Sequence, residues 1–115
     1  MSKEEALRRI KEAAETGATK LDLSDQELTE LPSQLFRLTN LQVLNLGGNR
    51  LSSLPSQFIQ LTNLTRLALH SNDFSSLPSL LFQLRNFTEI WLDGNQLTNL
   101  PTEIVQLKNL NFGKK

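Results

Sequence analysis

Cysteine and tyrosine are absent from this 115-residue chain, and tryptophan, histidine and methionine occur once each. Without cysteine there are no disulfides, no thiolate metal ligands and no cysteine nucleophile. That suits a reducing compartment. A single histidine leaves no two-histidine metal motif, and no G-x-x-x-x-G-K-[ST] phosphate loop or Ser/His/Asp context occurs. Neither sign of charge dominates, since 12 Lys and Arg balance 12 Asp and Glu. This argues against a basic nucleic-acid surface or a polybasic membrane anchor. No apolar run approaches membrane-spanning length, and the start, Met1-Ser-Lys-Glu-Glu, has no apolar signal core. The expectation is a cytoplasmic protein without catalytic chemistry, cofactor or metal.

What is abundant is leucine, at 25 residues. Leu41, Leu64, Phe87 and Leu110 recur every 23 residues, and Ala18 holds the same place one unit earlier. Pro32, Pro55, Pro78 and Pro101 keep that register, each directly after a Leu. The second unit shows the pattern best, with Leu41, Leu44, Leu46, Asn49, Leu51, Leu54, Pro55, Phe58 and Leu61. Leu44 and Leu46 alternate as in a strand, so both face one side. Equivalent strands should stack in parallel, about 4.8 Å apart. Their leucines then fill an interior that no single unit could close. Asn49, Asn72 and Asn95 stand where the chain leaves each strand. Their amides are suited to backbone groups of the turn that would otherwise be buried unpaired. Each Pro fixes φ and donates no N–H, which suits the start of a short helical or 3₁₀ turn.

These residues resemble the leucine-rich-repeat family, in its 23-residue type with Leu-Pro in the second half, from Ala18 to Leu110. Such repeats occur in bacterial proteins, including the recognition domains of Roco-type GTPases. They are also similar to intracellular repeats that scaffold Ras signalling. The resemblance implies a short right-handed α/β solenoid, a horseshoe segment. Its parallel concave sheet would bind another protein, and its convex side would carry 3₁₀ or short helical turns. The phosphate loop of a GTPase and the catalytic cysteine of repeat-bearing ubiquitin ligases are both missing. One departure is Gln26, where the other units have Asn; the first turn should be bonded differently or be more open to solvent.

The expected organisation is a capping helix over 1–17, four repeats over 18–110 and an incomplete tail over 111–115. Ser2 and Glu5 form an S-x-x-E capping box. Ala6, Leu7, Ile10, Ala13 and Ala14 make one apolar face, and Glu4–Arg8 and Glu5–Arg9 are i,i+4 pairs. Gly17 suits the position just past the helix. At the other end, Leu110 starts a fifth unit, but Gly113 falls where its first strand Leu should be. Ile90, Leu92 and Leu97 should then be only partly covered. With Phe112 they form a candidate self-association edge.

The repeat turns sequence into a surface map. One concave column is Lys20, Val43, Arg66, Glu89; the middle one is Asp22, Asn45, Ala68, Trp91; the third is Ser24, Gly47, His70, Asp93. These positions are free of core duty. Val43, Asn45, Arg66, Ala68, His70, Glu89, Trp91 and Asp93 are therefore the candidate partner-binding set. Trp91 stands first, because alternation sends it outward between Ile90 and Leu92 and exposed Trp is enriched at interfaces. Its alternative is packing against Arg66 or His70. An Arg66–Glu89 ion pair is expected. His70, Asp93 and Glu89 invite a metal reading, but a lone His among surface carboxylates is more often a solvated group. On the outer side, Phe36, Ile59, Phe82 and Val105 are expected to stack between coils rather than to form a second binding strip. Asn63-Leu64-Thr65 and Asn86-Phe87-Thr88 fit the glycosylation sequon but arise from the repeat's own Asn-Leu step.

The function these features support is a protein-interaction module. The alternatives are a self-assembling unit, with a homodimer through the C-terminal edge, or a truncated or designed repeat scaffold without an evolved partner.

Overall fold

The computed structural model describes residues 2–106 and 109–111, with side chains from 3 to 104. One helix, α1 (Ser2–Thr16), precedes five short strands: β1 (Lys20–Asp22), β2 (Val43–Asn45), β3 (Arg66–Ala68), β4 (Glu89–Trp91) and β5 (Asn109–Asn111). They form one parallel sheet in chain order. Val43 pairs with Arg66 and Arg66 with Glu89, so the 23-residue spacing is the sheet register itself. The ladder also runs past the strands, as Leu46 N–H donates to Ala68 O and Leu69 N–H to Trp91 O, both at 2.9 Å.

The inward residues behave as alternation requires. Leu44, Leu46, Leu67, Leu69 and Ile90 are all fully buried. Each is worth about 1.5–3 kcal/mol of transfer free energy before entropy is counted. Return to the next strand goes through 3₁₀ turns at Ser33–Arg37, Ser56–Gln60, Ser79–Gln83 and Thr102–Gln106. Each starts directly after a repeat proline. The carbonyls of Pro32, Pro55, Pro78 and Pro101 accept from the N–H three residues on, at 3.0–3.3 Å. A residue without an N–H thus stands where only an acceptor is needed.

Between strand and turn the chain must leave the sheet while still buried, and here the asparagines act. Asn72 Nδ2 donates to Leu69 O of its own coil at 3.1 Å and to Leu46 O of the preceding coil at 3.0 Å. Its Oδ1 accepts the N–H of Leu51, again one coil back, at 3.0 Å. Asn49 and Asn95 repeat this scheme on Leu23 and Leu28, and on Leu69 and Phe74. Gln26 differs as expected: its Nε2 donates to Ser24 O within its own turn. It is nevertheless buried, at 8% exposure, so the first turn is not more open.

The residue before each of these amides is left-handed in every coil, at Asp25 (φ 57), Gly48 (φ 70), Ser71 (φ 55) and Gly94 (φ 76). Glycine relieves the Cβ conflict there at Gly48 and Gly94, whereas Asp and Ser accept it.

α1 covers the first coil with Ala6, Ile10 and Ala13, all buried. Leu7 is only half-buried and Ala14 is exposed, so the apolar face is narrower than expected. Gly17 takes φ +65, and Ala18 N–H reaches back to Ala13 O at 3.0 Å, the 6→1 bond of a Schellman cap. The Ser2 side chain of the expected capping box lies outside the described residues. Glu5 is held by Arg8 at 2.6 Å and by Arg9 at 2.8 Å. Hydrogen bonds from Arg8 first, then Arg9, keep its carboxyl down at about 2. Arg8 turns to Glu5 and Glu12 rather than to Glu4.

The C-terminal edge departs from the repeat. Leu110 pairs with Ile90, twenty residues earlier, whereas the other strands are offset by 23. The connection from the last 3₁₀ turn to β5 is correspondingly shorter. β5 crosses the boundary expected at residue 110 and lies along β4. Ile90 and Leu92 are then 0% and 2% exposed, not partly covered; Leu97 alone of that trio is half-buried. Phe112 lies outside the described residues.

Asn72→Ala leaves Leu51 N–H without its acceptor and removes one of two donors at Leu46 O and at Leu69 O. An orphaned buried group costs about 1–3 kcal/mol, so urea denaturation should show a loss of about 2–3 kcal/mol. Asn63→Ala, at an exposed amide, should cost under about 1 kcal/mol.

Candidate functional site

Alternation leaves the outward side chains of the strands on one face. Two of the three expected columns are sheet neighbours, since Val43, Arg66 and Glu89 are Cα partners in turn, as are Asn45, Ala68 and Trp91. The third lies just past the strands, where Gly48 N–H donates to His70 O and Ser71 N–H to Asp93 O. They are not equally free. Asp22 Oδ1 accepts the N–H of Ser24 at 2.8 Å, and Asn45 Oδ1 accepts that of Gly47 at 2.9 Å. These side chains close the turn two residues on, as Asx turns do. The bonds from Ser24 hold the Asp22 carboxyl below the usual carboxylate range. Asn45 is thus partly committed to the fold. Its equivalents Ala68 and Trp91 carry no such acceptor.

Arg66 Nε and Glu89 Oε1 stand 3.4 Å apart across β3 and β4, the expected ion pair. Arg66 keeps more than half its side chain exposed, and Glu89 much less. His70 lays its ring over Gly47, in the space a side chain there would fill. Gly47 is buried as a result, so His70 does packing work on this face. Trp91 is half-buried on β4 beside Ala68. Asp93 and Val43 are also half-buried. Among the described residues no group of three His, Cys, Asp or Glu could hold a metal ion.

The convex column is uneven. Phe36 is buried and meets Phe58 of the next coil edge-on, with ring centroids 6.0 Å apart. Phe82 is half-buried, while Ile59 is 38% exposed. So Phe36 packs between coils as expected, with its ring on Phe58. The side chain of Val105 lies outside the described residues.

The sequon residues form a second ladder that sequence reasoning missed. Asn63 Nδ2 donates to Thr39 O at 2.8 Å, and Asn86 Nδ2 to Thr62 O at 3.4 Å. Thr65 Oγ1 donates to Gln42 O at 3.0 Å and Thr88 Oγ1 to Thr65 O at 3.3 Å. The signal was present as an Asn and a Thr two apart, recurring at the repeat period.

The sequence profile of the leucine-rich repeat family matches residues 16–74. The chain belongs to that family. A leucine-rich-repeat protein of Leptospira interrogans is 38% identical with a TM-score of 0.57, over 87% of this chain and 32% of its own. The leucine-rich repeat domain of the type III effector XopL is 27% identical at a TM-score of 0.71, over 93% and 42%. A Shigella effector domain is also 27% identical, at 0.68, over 93% and 54%. The chain therefore spans about a third to a half of these solved chains. No protein among the curated ones matches it. Domains of this family generally mediate protein–protein interaction and are typically non-catalytic. No described helix is long and apolar enough to cross a membrane.

An exposed pair such as Arg66–Glu89 is worth about 0.2–1 kcal/mol. A double-mutant cycle with Arg66→Ala and Glu89→Ala should give a coupling in that range that shrinks in high salt. A salt-independent coupling above it would show the pair to be desolvated.

Proposed function

We propose that this chain is a cytoplasmic, non-catalytic interaction module that takes a protein partner on its concave sheet, with Trp91 at the centre of the contact. The observation that supports this most is Trp91 itself. Its inward neighbours Ile90 and Leu92 fill the core, Ala68 beside it is small, and the ring remains half-exposed on a face made of short, rigid strands. A large aromatic that needs little ordering is what interface hot spots are made of. Arg66, His70, Glu89 and Asp93 give that ring a rim of mixed charge, with Val43 and Asn45 at the far side. No cofactor or nucleic acid enters this reading.

Capture from a lysate of the source organism tests it, comparing wild type with Trp91→Ala. The expected result is selective capture by wild type, lost in the variant, with the thermal midpoint shifted by no more than a few degrees. Equal loss of capture and of folding would make Trp91 a core residue and remove the reading.

A second reading is self-association through the C-terminal edge. It rests on Leu100, which is 36% exposed, beside half-buried Leu97. Sedimentation velocity over a range of concentrations should then show a dimer that Leu100→Glu dissolves. A concentration-independent monomer in both chains removes this use of the edge.

A further inference from the structure

α1 does not close flush against the first coil. Between the helix and the first 3₁₀ turn lies a cleft of about 490 Å³, inside the roughly 300–1,000 Å³ of small-molecule sites. Its apolar lining includes Leu7, Ile10, Ala14 and Leu38. The half-burial of Leu7 and the exposure of Ala14 now have a reason. These residues form a second apolar stripe, next to the one that packs on the core, and it faces the cleft.

Two cations border the cleft from opposite walls, Lys11 on the helix and Arg37 on the 3₁₀ turn. Among the described residues neither forms an ion pair. Asn40 adds a neutral donor. Its equivalents Asn63 and Asn86 donate to Thr39 O and Thr62 O, one coil back. One coil back from Asn40 the helix replaces the repeat. The Asn40 amide has no hydrogen-bond partner among the described residues, and its Nδ2 lies against Gly17 at the cleft wall. The cleft thus combines an oily lining, two unpaired positive charges and a free amide.

We propose that this cleft binds an amphiphilic monoanion, a medium-chain fatty carboxylate. Its alkyl chain lies along Leu7, Ile10, Ala14 and Leu38, and its head between Lys11, Arg37 and the Asn40 amide. The carbonyl end of α1 opposes an anion, but it amounts to about half a charge against two full ones. A hydrated multivalent anion would find no partners along the apolar lining, and an alkylammonium would be repelled by both cations. The site is separate from the concave face and does not depend on what that face binds.

Dodecanoate, kept below its micelle concentration, is the probe, titrated into the isotope-labelled chain and followed by amide chemical shifts. Saturable one-to-one binding is expected, with shifts confined to α1 and the first 3₁₀ turn. Lys11→Gln with Arg37→Gln should weaken it by roughly tenfold or more, as should replacing the probe by dodecanol. Ala14→Trp, a change at an exposed helix position, should fill the cleft and abolish binding with the circular dichroism melt unchanged. Trp91→Ala should leave binding as it was. No saturable binding by the wild type would overturn the proposal, and so would equal affinity for dodecanol or indifference to Ala14→Trp. A wild-type chain that takes an acidic amphipathic peptide but not dodecanoate would overturn it too, and assign the cleft to a protein.

Discussion

A coil of this chain has to turn out of the sheet while still inside the protein, and the backbone groups at that turn have no ladder to join. The buried asparagine amide answers this. It holds two carbonyls with its nitrogen and an N–H with its oxygen, reaching across to the coil before it. One side chain thereby fixes the distance, the register and the direction of stacking at once. The leucines supply far more free energy, but they are interchangeable with other apolar groups of similar size. The amide is not, because a buried polar group left unpaired costs more than a paired one returns.

Most of the architecture was legible because it is periodic. The strand positions, the prolines before the 3₁₀ turns and the three concave columns all follow from a 23-residue spacing and the two-residue alternation of a strand. What was not legible is whatever breaks or hides within the period. The left-handed position is marked by glycine only in two coils; Asp25 and Ser71 give no such sign. The Asn63 and Asn86 ladder looks like a modification signal, since a sequon and a turn-bonding Asn use the same residues. The shortened step before β5 was signalled only indirectly, by Gly113 standing where the repeat would place its first strand Leu, and nothing in the residues gave the length of the step. Phe36 and Ile59 share a column yet differ in burial, and the ring of Phe36 meets that of Phe58 in the next coil.

The candidate surface sorts in the same way. Position in the repeat told which side chains point outward, but not which are already engaged. Asp22 and Asn45 spend their oxygens on the turns, and His70 covers Gly47. The outward residues with least structural duty gather toward β3 and β4, where Ala68 and Trp91 replace the turn-closing pair. A column that begins by closing turns thus ends without that duty, and the change of role is visible only from the hydrogen bonds.

The asparagine bridges all reach in one direction, from a coil to its predecessor. Leu28, Leu51 and Phe74 each have their N–H accepted by the asparagine that comes 21 residues later. A turn in this stack is therefore completed by chain that lies 21 residues further on and leaves the ribosome after the turn itself. Its N-terminal side is covered by a mostly alanine-faced helix, which also gives an Arg9 N–H to Asp22 O of the edge strand. Its C-terminal side always asks for a polar acceptor in register. The stack is a vector, and an array of this kind has to mature behind its growing end.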